Sequence, residues 1–316
     1  MLSPLRPSWS VATRAAFFKY LWITIAAINI ELDDHMTFPY WDDNALLTLE
    51  QRFAERWGRG TSYHYRGCVG AIDGLVVRCM KPSRNQHAAP QSFFCGRYKC
   101  FGLAFQVIVD ADCKFMWSYG NAPGSVHDST AFKMSSLHAE LQAGKMNNAF
   151  HLAGDGAYTD EEFLLTPWPE PRNGKLAADK EAFNWGHSTH RQNVERAFGM
   201  LVGRWLVLEG TMRVPYSRIP SVVQACMKLQ NVCIERAQAA PLDDGQRTGD
   251  GAPSRMYRSA KPVVSLTSTP ADRTFSGQRG QARTVKRAAL TDALRLAGIE
   301  KPQQARMRLQ NARAQQ

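Results

Sequence analysis

Four acidic residues occupy local sequences in which an uncompensated carboxylate would be unfavourable. Asp73 and Asp155 each follow a short apolar run, and Glu195 lies on an otherwise apolar helical face. Asp128 follows a Pro-Gly-Ser-Val-His segment. Buried carboxylates are rare unless they are paired or hold a cation. Mg²⁺ and Mn²⁺ prefer oxygen ligands, and two such ions about 4 Å apart can promote phosphodiester cleavage. We therefore predict that the four acids form a divalent-metal site that holds two Mg²⁺ or Mn²⁺ ions.

Each acid taken alone has an ordinary structural explanation. Asp73 precedes a glycine, as in a common turn dipeptide, and Asp155 lies between two glycines. Asp128 suits the N-cap of a helix, and Glu195 with Arg196 suits a surface ion pair. The hypothesis of a metal site therefore depends on the four acids occurring together and on the elements that carry them.

Those elements predict a mixed α/β fold. Apolar runs indicate strands, which we place over residues 68–79, 102–110, 114–120 and 150–155, with a bend in the first at Asp73. Helical periodicity and capping residues indicate helices, which we place over residues 45–57, 128–142, 193–205 and 220–238. In this order the acids lie at strand ends and on one late helix, so that Asp155 would face Asp73 from a neighbouring strand.

Composition divides the chain into three segments. We predict a helical N-terminal segment over residues 1–66, a catalytic-type α/β domain over 67–240 and a basic, disordered tail over 241–316, with a short helix near 285–297. The tail carries 14 Lys+Arg and 6 Asp+Glu, so it holds most of the formal net charge of +11. This charge indicates a polyanionic partner, of which nucleic acid is the default.

The cysteines and the apolar segments indicate the compartment. Seven cysteines, without any Cys-x2-Cys pair, favour a reducing environment and argue against a zinc knuckle. The longest apolar run, residues 20–30, is shorter than the roughly 20 residues that span a bilayer. We therefore expect an intracellular protein without a membrane segment.

Five linked motifs make residues 68–235 resemble transposases of the PIF/Harbinger superfamily and the nucleases derived from them. These are residues 70–74 (Gly-Ala-Ile-Asp-Gly), 123–128 (Pro-Gly-Ser-Val-His-Asp), 154–158 (Gly-Asp-Gly-Ala-Tyr), 195–199 (Glu-Arg-Ala-Phe-Gly) and 201–205 (Leu-Val-Gly-Arg-Trp). The resemblance implies an RNase H-like mixed sheet flanked by helices and a DDE triad of Asp73, Asp155 and Glu195. Asp128 matches a further family acid that would also bind metal.

The function that the resemblance implies is metal-dependent DNA cleavage at transposon ends, with strand transfer as a further step. It also implies a Myb-like DNA-binding partner and a nuclear location, and leaves a homodimer open. Basic residues near the motifs are the candidate DNA contacts. They are Arg78, Lys81, Arg97, Lys99, Arg191, Arg196 and Arg204.

Two departures from the family pattern keep other functions open. Leu75 and Val76 replace the family's Thr-His after the first acid, and only 66 residues precede the core, so we expect the upstream helix-turn-helix region to be shortened or missing. The main alternative is a domesticated, non-catalytic DNA-binding or scaffold protein that acts with the Myb-like partner. An RNase H-like enzyme acting on RNA or on RNA–DNA hybrids is a third hypothesis, which the motif at Glu195 disfavours.

Overall fold

A computed structural model describes residues 11–56, 65–171, 173–239, 285–299 and 301. The helices are Val11–Glu31 (α1), Asp43–Arg56 (α2), Asp128–Lys133 (α3), Ser136–Gln142 (α4), Ala178–Arg204 (α5), Ile219–Ala239 (α6) and Val285–Leu296 (α7). The strands are Cys68–Arg78 (β1), Phe94–Cys95 (β2), Cys100–Val109 (β3), Phe115–Pro123 (β4), His151–Ala153 (β5) and Leu164–Leu165 (β6). Single 3₁₀ turns include Asp33–His35, Pro90–Phe93, Leu206–Leu208 and Tyr216–Arg218.

The six described strands form one mixed sheet. Its order is β2-β3-β1-β5-β6, and β4 pairs with β3. β1 is antiparallel to β3 and parallel to β5, so the long apolar strand β1 lies at the centre. A central strand with neighbours on both sides is well suited to hold a side chain rigidly, and β1 carries Asp73.

Alternation along the strands divides the core between the two faces of the sheet. Leu75 of β1 and Phe105 of β3 belong to an apolar cluster with Val194 of α5. Ile72 of β1 belongs to a second cluster on the opposite face, with Phe132 of α3. Because side chains alternate along a strand, Asp73 lies on the face that α5 covers, whereas Gly74 lies on the α3 face.

The predicted mixed α/β fold is confirmed, and several element boundaries are corrected. β1 pairs with β3 without a break from Ala71 to Arg78, so the predicted bend at Asp73 is absent. The helix predicted over 128–142 is two helices, because the Ser135 hydroxyl accepts a hydrogen bond from the backbone N–H of His138 and caps α4. The predicted helix over 193–205 begins at Ala178.

The short helix predicted near 285–297, within the tail predicted to be disordered, is confirmed as α7. This helix packs against α5. Arg287 is buried and lies 3.3 Å from Asp160, while its guanidinium stands 4.1 Å from the centre of the Trp168 ring. Residues 241–284 and 302–316 lie outside the described residues. The predicted domain boundary at 240 therefore excludes a helix that belongs to the folded core.

The apolar run at residues 20–30 lies within α1, which packs against α6. Among the helices that the structure describes, none combines the length and apolar character needed to cross a membrane.

Candidate active site

The register between β1 and β5 brings Asp73 and Asp155 together. Ala71 of β1 pairs with Ala153 of β5 in the parallel direction. Each acid follows its paired alanine by two residues, so each continues the same face at the same level. Asp155 stands just past the end of β5, where the chain leaves the sheet. The two carboxylates therefore lie side by side beneath α5.

Arg191 links this pair to the third predicted acid. Its guanidinium Nη1 lies 3.3 Å from Oδ2 of Asp73, and its Nη2 lies 2.5 Å from Oε1 of Glu195. Arg191 and Glu195 are four residues apart on α5, so they occupy one helical face. The side chains of Asp73 and Arg191 retain only 7% and 16% of their exposure, which makes this ion pair largely buried.

Asp128 approaches from the opposite face of the sheet. Its Oδ1 would stand only 1.9 Å from a Cβ added to Gly74, so any larger residue at this position would require the Asp128 carboxylate to move. Gln106, the register partner of Gly74 on β3, donates a hydrogen bond of 2.9 Å to the same oxygen. The Tyr158 hydroxyl in turn donates to Oε1 of Gln106. Asp128 therefore adjoins β1 on the α3 side, across the strand from the ion pair of Arg191.

Burial and mutual repulsion dominate the electrostatics of the three aspartates. Burial raises the pKa of Asp73 well above its usual range, and the charges of Asp155 and Asp128 raise it further, against the opposing charge of Arg191. Burial also raises the pKa of Asp128, with Asp155 as the next cause. The pKa of Asp155 is raised chiefly by burial. Because these carboxyl groups are partly buried and close to one another, their ionised forms are unfavourable. A nearby positive charge would stabilise those ionised forms.

Carboxylate oxygens of this kind fit a hard divalent cation. Within the part of the chain that the structure describes, however, no three His, Cys, Asp or Glu side chains are grouped closely enough to hold a metal ion. Instead, the guanidinium of Arg191 supplies positive charge to Asp73 and Glu195. The donor chemistry therefore matches the predicted metal, and Arg191 occupies the space between two of its predicted ligands.

The predicted DNA contacts divide into two groups. Arg191 lies among the acids, and the exposed Arg97 is close enough to Asp155 to oppose the rise in its pKa, which burial causes. The remaining residues lie elsewhere. Arg78 ends β1, Lys81 stands 5.5 Å from the Phe101 ring centre, Lys99 lies between β2 and β3, and Arg204 ends α5. Arg196 lies near Cys113 in the β3–β4 turn. Burial raises the pKa of Cys113 to about 11, and the nearby charge of Arg196 opposes that rise.

Gln106 is a site residue that sequence reasoning did not identify. It is completely buried and connects Asp128 to Tyr158. The available signal was its isolation, because Gln106 is the one polar residue within the apolar run of residues 103–109. A buried amide needs hydrogen-bond partners, and here an acid and a phenol provide them.

Residues 72–231 match the protein family described as DDE superfamily endonuclease. The chain belongs to this family. All four predicted acids fall inside the matched range, which confirms the resemblance to Harbinger-type proteins.

The chain matches curated relatives at modest identity. It is 28% identical over 191 residues to the Arabidopsis thaliana protein named ALP1-like, covering 56% of this chain and 45% of the plant protein. It is 26% identical over 172 residues to human HARBI1, whose name provisionally designates it a nuclease, covering 54% of this chain and 46% of the human protein. It is 26% identical over 197 residues to HARBI1 of Rattus norvegicus, covering 61% of this chain and 52% of the rat protein. The chain spans about half the length of these relatives, and no solved structure matches it significantly.

Proposed function

We propose that the protein is a divalent-metal-dependent DNA endonuclease or transposase with an RNase H-like core. It would hydrolyse phosphodiester bonds at transposon ends, and the freed 3′-hydroxyl could then attack target DNA. Family membership supports the endonuclease class. The single observation that carries the proposal is the parallel register of β1 and β5, which puts Asp73 and Asp155 each two residues past a paired alanine, with Arg191 joining Asp73 to Glu195 of α5.

In this proposal Asp73, Asp155 and Glu195 are the catalytic carboxylates that would hold the metal. Asp128, predicted as a fourth ligand, adjoins β1 from its other face, near enough to Asp155 for that charge to raise the pKa of Asp128. These carboxylates would hold two divalent cations, either Mg²⁺ or Mn²⁺. The cations would activate water and neutralise charge at the phosphate. Strand β1 holds Asp73 rigidly at the centre of the sheet. Because Arg191 bridges Asp73 and Glu195, it would have to leave one of these carboxylates when the site is loaded.

DNA is the proposed substrate, and the proposed site of action is the nucleus. Arg97 is the exposed cation whose position near the acids best supports a contact with phosphate. The other basic residues predicted above would bind the duplex farther from the cleavage point. Recognition of particular ends would come from a Myb-like partner, and a second copy of the chain could complete the assembly.

A non-catalytic scaffold is the second candidate function, and one observation favours it. Arg191 pairs with both Asp73 and Glu195, so part of their negative charge is already compensated by a side chain of the protein. A domesticated protein could retain these acids as an internal ion-pair network while binding DNA. The absence of a compact ligand group among the described residues agrees with this alternative.

The test is cleavage of supercoiled plasmid by the purified protein in Mn²⁺. Nicking by the wild type that is lost in Asp73→Ala would support the nuclease and assign its site. Asp292→Asn is the matched control, because this exposed acid pairs with Arg295 at the surface, away from the four acids. Equal nicking by Asp73→Ala would indicate a contaminating nuclease, and no nicking by any form, with DNA binding retained, would favour the scaffold.

A further inference from the structure

A buried hydrogen-bond chain lies directly behind Asp155. The Tyr65 hydroxyl stands 2.6 Å from Nδ1 of His187, and Nε2 of His187 stands 2.6 Å from the carbonyl oxygen of Gly154. Gly154 is the residue immediately before Asp155. Tyr65 and His187 are 2% and 1% exposed, so both hydrogen bonds are shielded from water.

The direction of each hydrogen bond follows from the groups involved. A carbonyl oxygen can only accept, so Nε2 of His187 carries the proton and donates to Gly154. Nδ1 is then the acceptor, and the Tyr65 hydroxyl donates to it. Burial supports this arrangement, because it lowers the pKa of His187 to about 3 and raises the pKa of Tyr65 well above its usual range. His187 is therefore a neutral ring with one tautomer.

Aromatic packing immobilises the two rings. His187 stacks on Phe183 with ring centres 5.6 Å apart and an interplanar angle of 15°. Tyr65 stacks on His190 at 4.8 Å and 29°. A Cβ on Gly186 would stand 3.3 Å from Cδ2 of Tyr65, so the helix approaches the ring closely. The donor at Nε2 thus has a fixed position relative to the sheet.

Gly154 immediately precedes Asp155, and its backbone N–H and carbonyl groups are both hydrogen-bonded. Its N–H donates to the carbonyl of Leu165 in β6 at 3.0 Å, while its carbonyl accepts from His187. β5 ends at Ala153, so sheet pairing does not continue to Asp155. The His187 hydrogen bond therefore extends the fixed backbone by one peptide beyond the strand.

We infer that His187, oriented by Tyr65, is a positioning residue that holds the Gly154 peptide so that the Asp155 carboxylate faces Asp73. This inference rests on the proposed function, in which Asp155 binds a divalent cation. His187 is buried and hydrogen-bonds Tyr65 and Gly154, so the role inferred for it acts through the backbone that leads to Asp155. Its effect is on the geometry of a ligand, as for other residues that orient metal-binding groups from behind.

The test is the affinity for Mn²⁺, measured by calorimetry alongside thermal unfolding in EDTA. His187→Phe keeps a ring against Phe183 and removes the hydrogen bond to Gly154, so we expect the Mn²⁺ dissociation constant to rise about 10–100-fold. Tyr65→Phe keeps the stacking and removes only the hydroxyl, so we expect a smaller rise in the same direction. This milder variant also carries the test if His187→Phe does not fold.

His190→Phe is the matched control. His190 lies in the same cluster and is equally buried, but its Nδ1 bonds the Gly186 carbonyl within α5 and not the strand that leads to Asp155. We expect this variant to lose thermal stability and to keep the wild-type Mn²⁺ affinity. The inference is overturned if Tyr65→Phe and His187→Phe also unfold earlier yet bind Mn²⁺ as the wild type does. A wild type that binds no Mn²⁺ would overturn the proposed function itself.

Discussion

Arg191 and Asp73 form a largely buried ion pair between α5 and the central strand, with 3.3 Å between Nη1 and Oδ2. The same guanidinium also binds Glu195. One cationic side chain thus stabilises two of the acids assigned to catalysis. Loading of the site with metal therefore competes with an internal cation, and this competition can be measured.

Replacing Arg191 with Gln should expose that competition. In EDTA the buried Asp73 loses its cation, and we expect the free energy of unfolding to fall by about 3 kcal/mol. Mn²⁺ should raise the melting temperature of the variant more than that of the wild type, because the internal competitor is gone. Thermal unfolding with and without Mn²⁺ measures both effects. Arg295→Gln, which breaks an exposed pair, is the control and should change stability by less than about 1 kcal/mol.

Asp110 predicts a distinct pH dependence. Burial raises its pKa from 3.8 to about 6, so the folded state binds this proton more tightly than the unfolded state. Stability from this group is therefore present at low pH and is lost as the pH rises from about 4 to 6. Asp110→Asn keeps an oxygen for the N–H groups of Asp112 and Lys114. We expect the variant to be more stable at pH 7 by about 1–3 kcal/mol. Denaturant titrations across pH 4–8 measure how the free energy of unfolding changes with pH. If Asp110→Asn showed the same pH dependence as the wild type, this prediction would be contradicted.

Gly74 and Asp128 should be coupled energetically. A Cβ at Gly74 would meet Oδ1 of Asp128 at 1.9 Å, so Gly74→Ala should destabilise the fold by about 1–3 kcal/mol through overpacking. Removing the carboxylate with Asp128→Ala opens that space. In a double-mutant cycle the combined variant should therefore lose less stability than the sum of the two single variants. Strict additivity would show that Gly74 is required for another reason.

The buried pair of Asp160 and Arg287 should stabilise the docking of α7. Both side chains are at most 1% exposed, and Asp160 also accepts from the backbone N–H of Thr166. Arg287→Met leaves a buried carboxylate without its cation, so we expect a loss of about 3–5 kcal/mol in chemical denaturation. Adding Asp160→Asn removes the charge but keeps the acceptor for Thr166, and should restore most of the loss. A single variant as stable as the wild type would mean that α7 contributes little to the core.

The sequence was sufficient to predict the mixed α/β class and to select the acids, because apolar runs and local motifs are readable in one dimension. It was insufficient for contacts that depend on register and on helix orientation. Arg191 was predicted to bind phosphate, since nothing local shows that it faces Asp73. Asp128 was grouped with the other acids, although it approaches from the opposite face of the sheet. β6 was missed because two residues give no periodicity, and α7 docks across more than one hundred residues of chain.

The position of α7 has a consequence for how the chain is made. Synthesis proceeds from the N-terminus, and domains generally fold as they emerge. All four acids leave the ribosome before Arg287 does, so a nascent chain contains the complete candidate site while Asp160 still lacks its cation. An mRNA truncated between codons 240 and 284 would encode all four candidate acids. Its product would lack Arg287, which pairs with Asp160 and packs on the ring of Trp168.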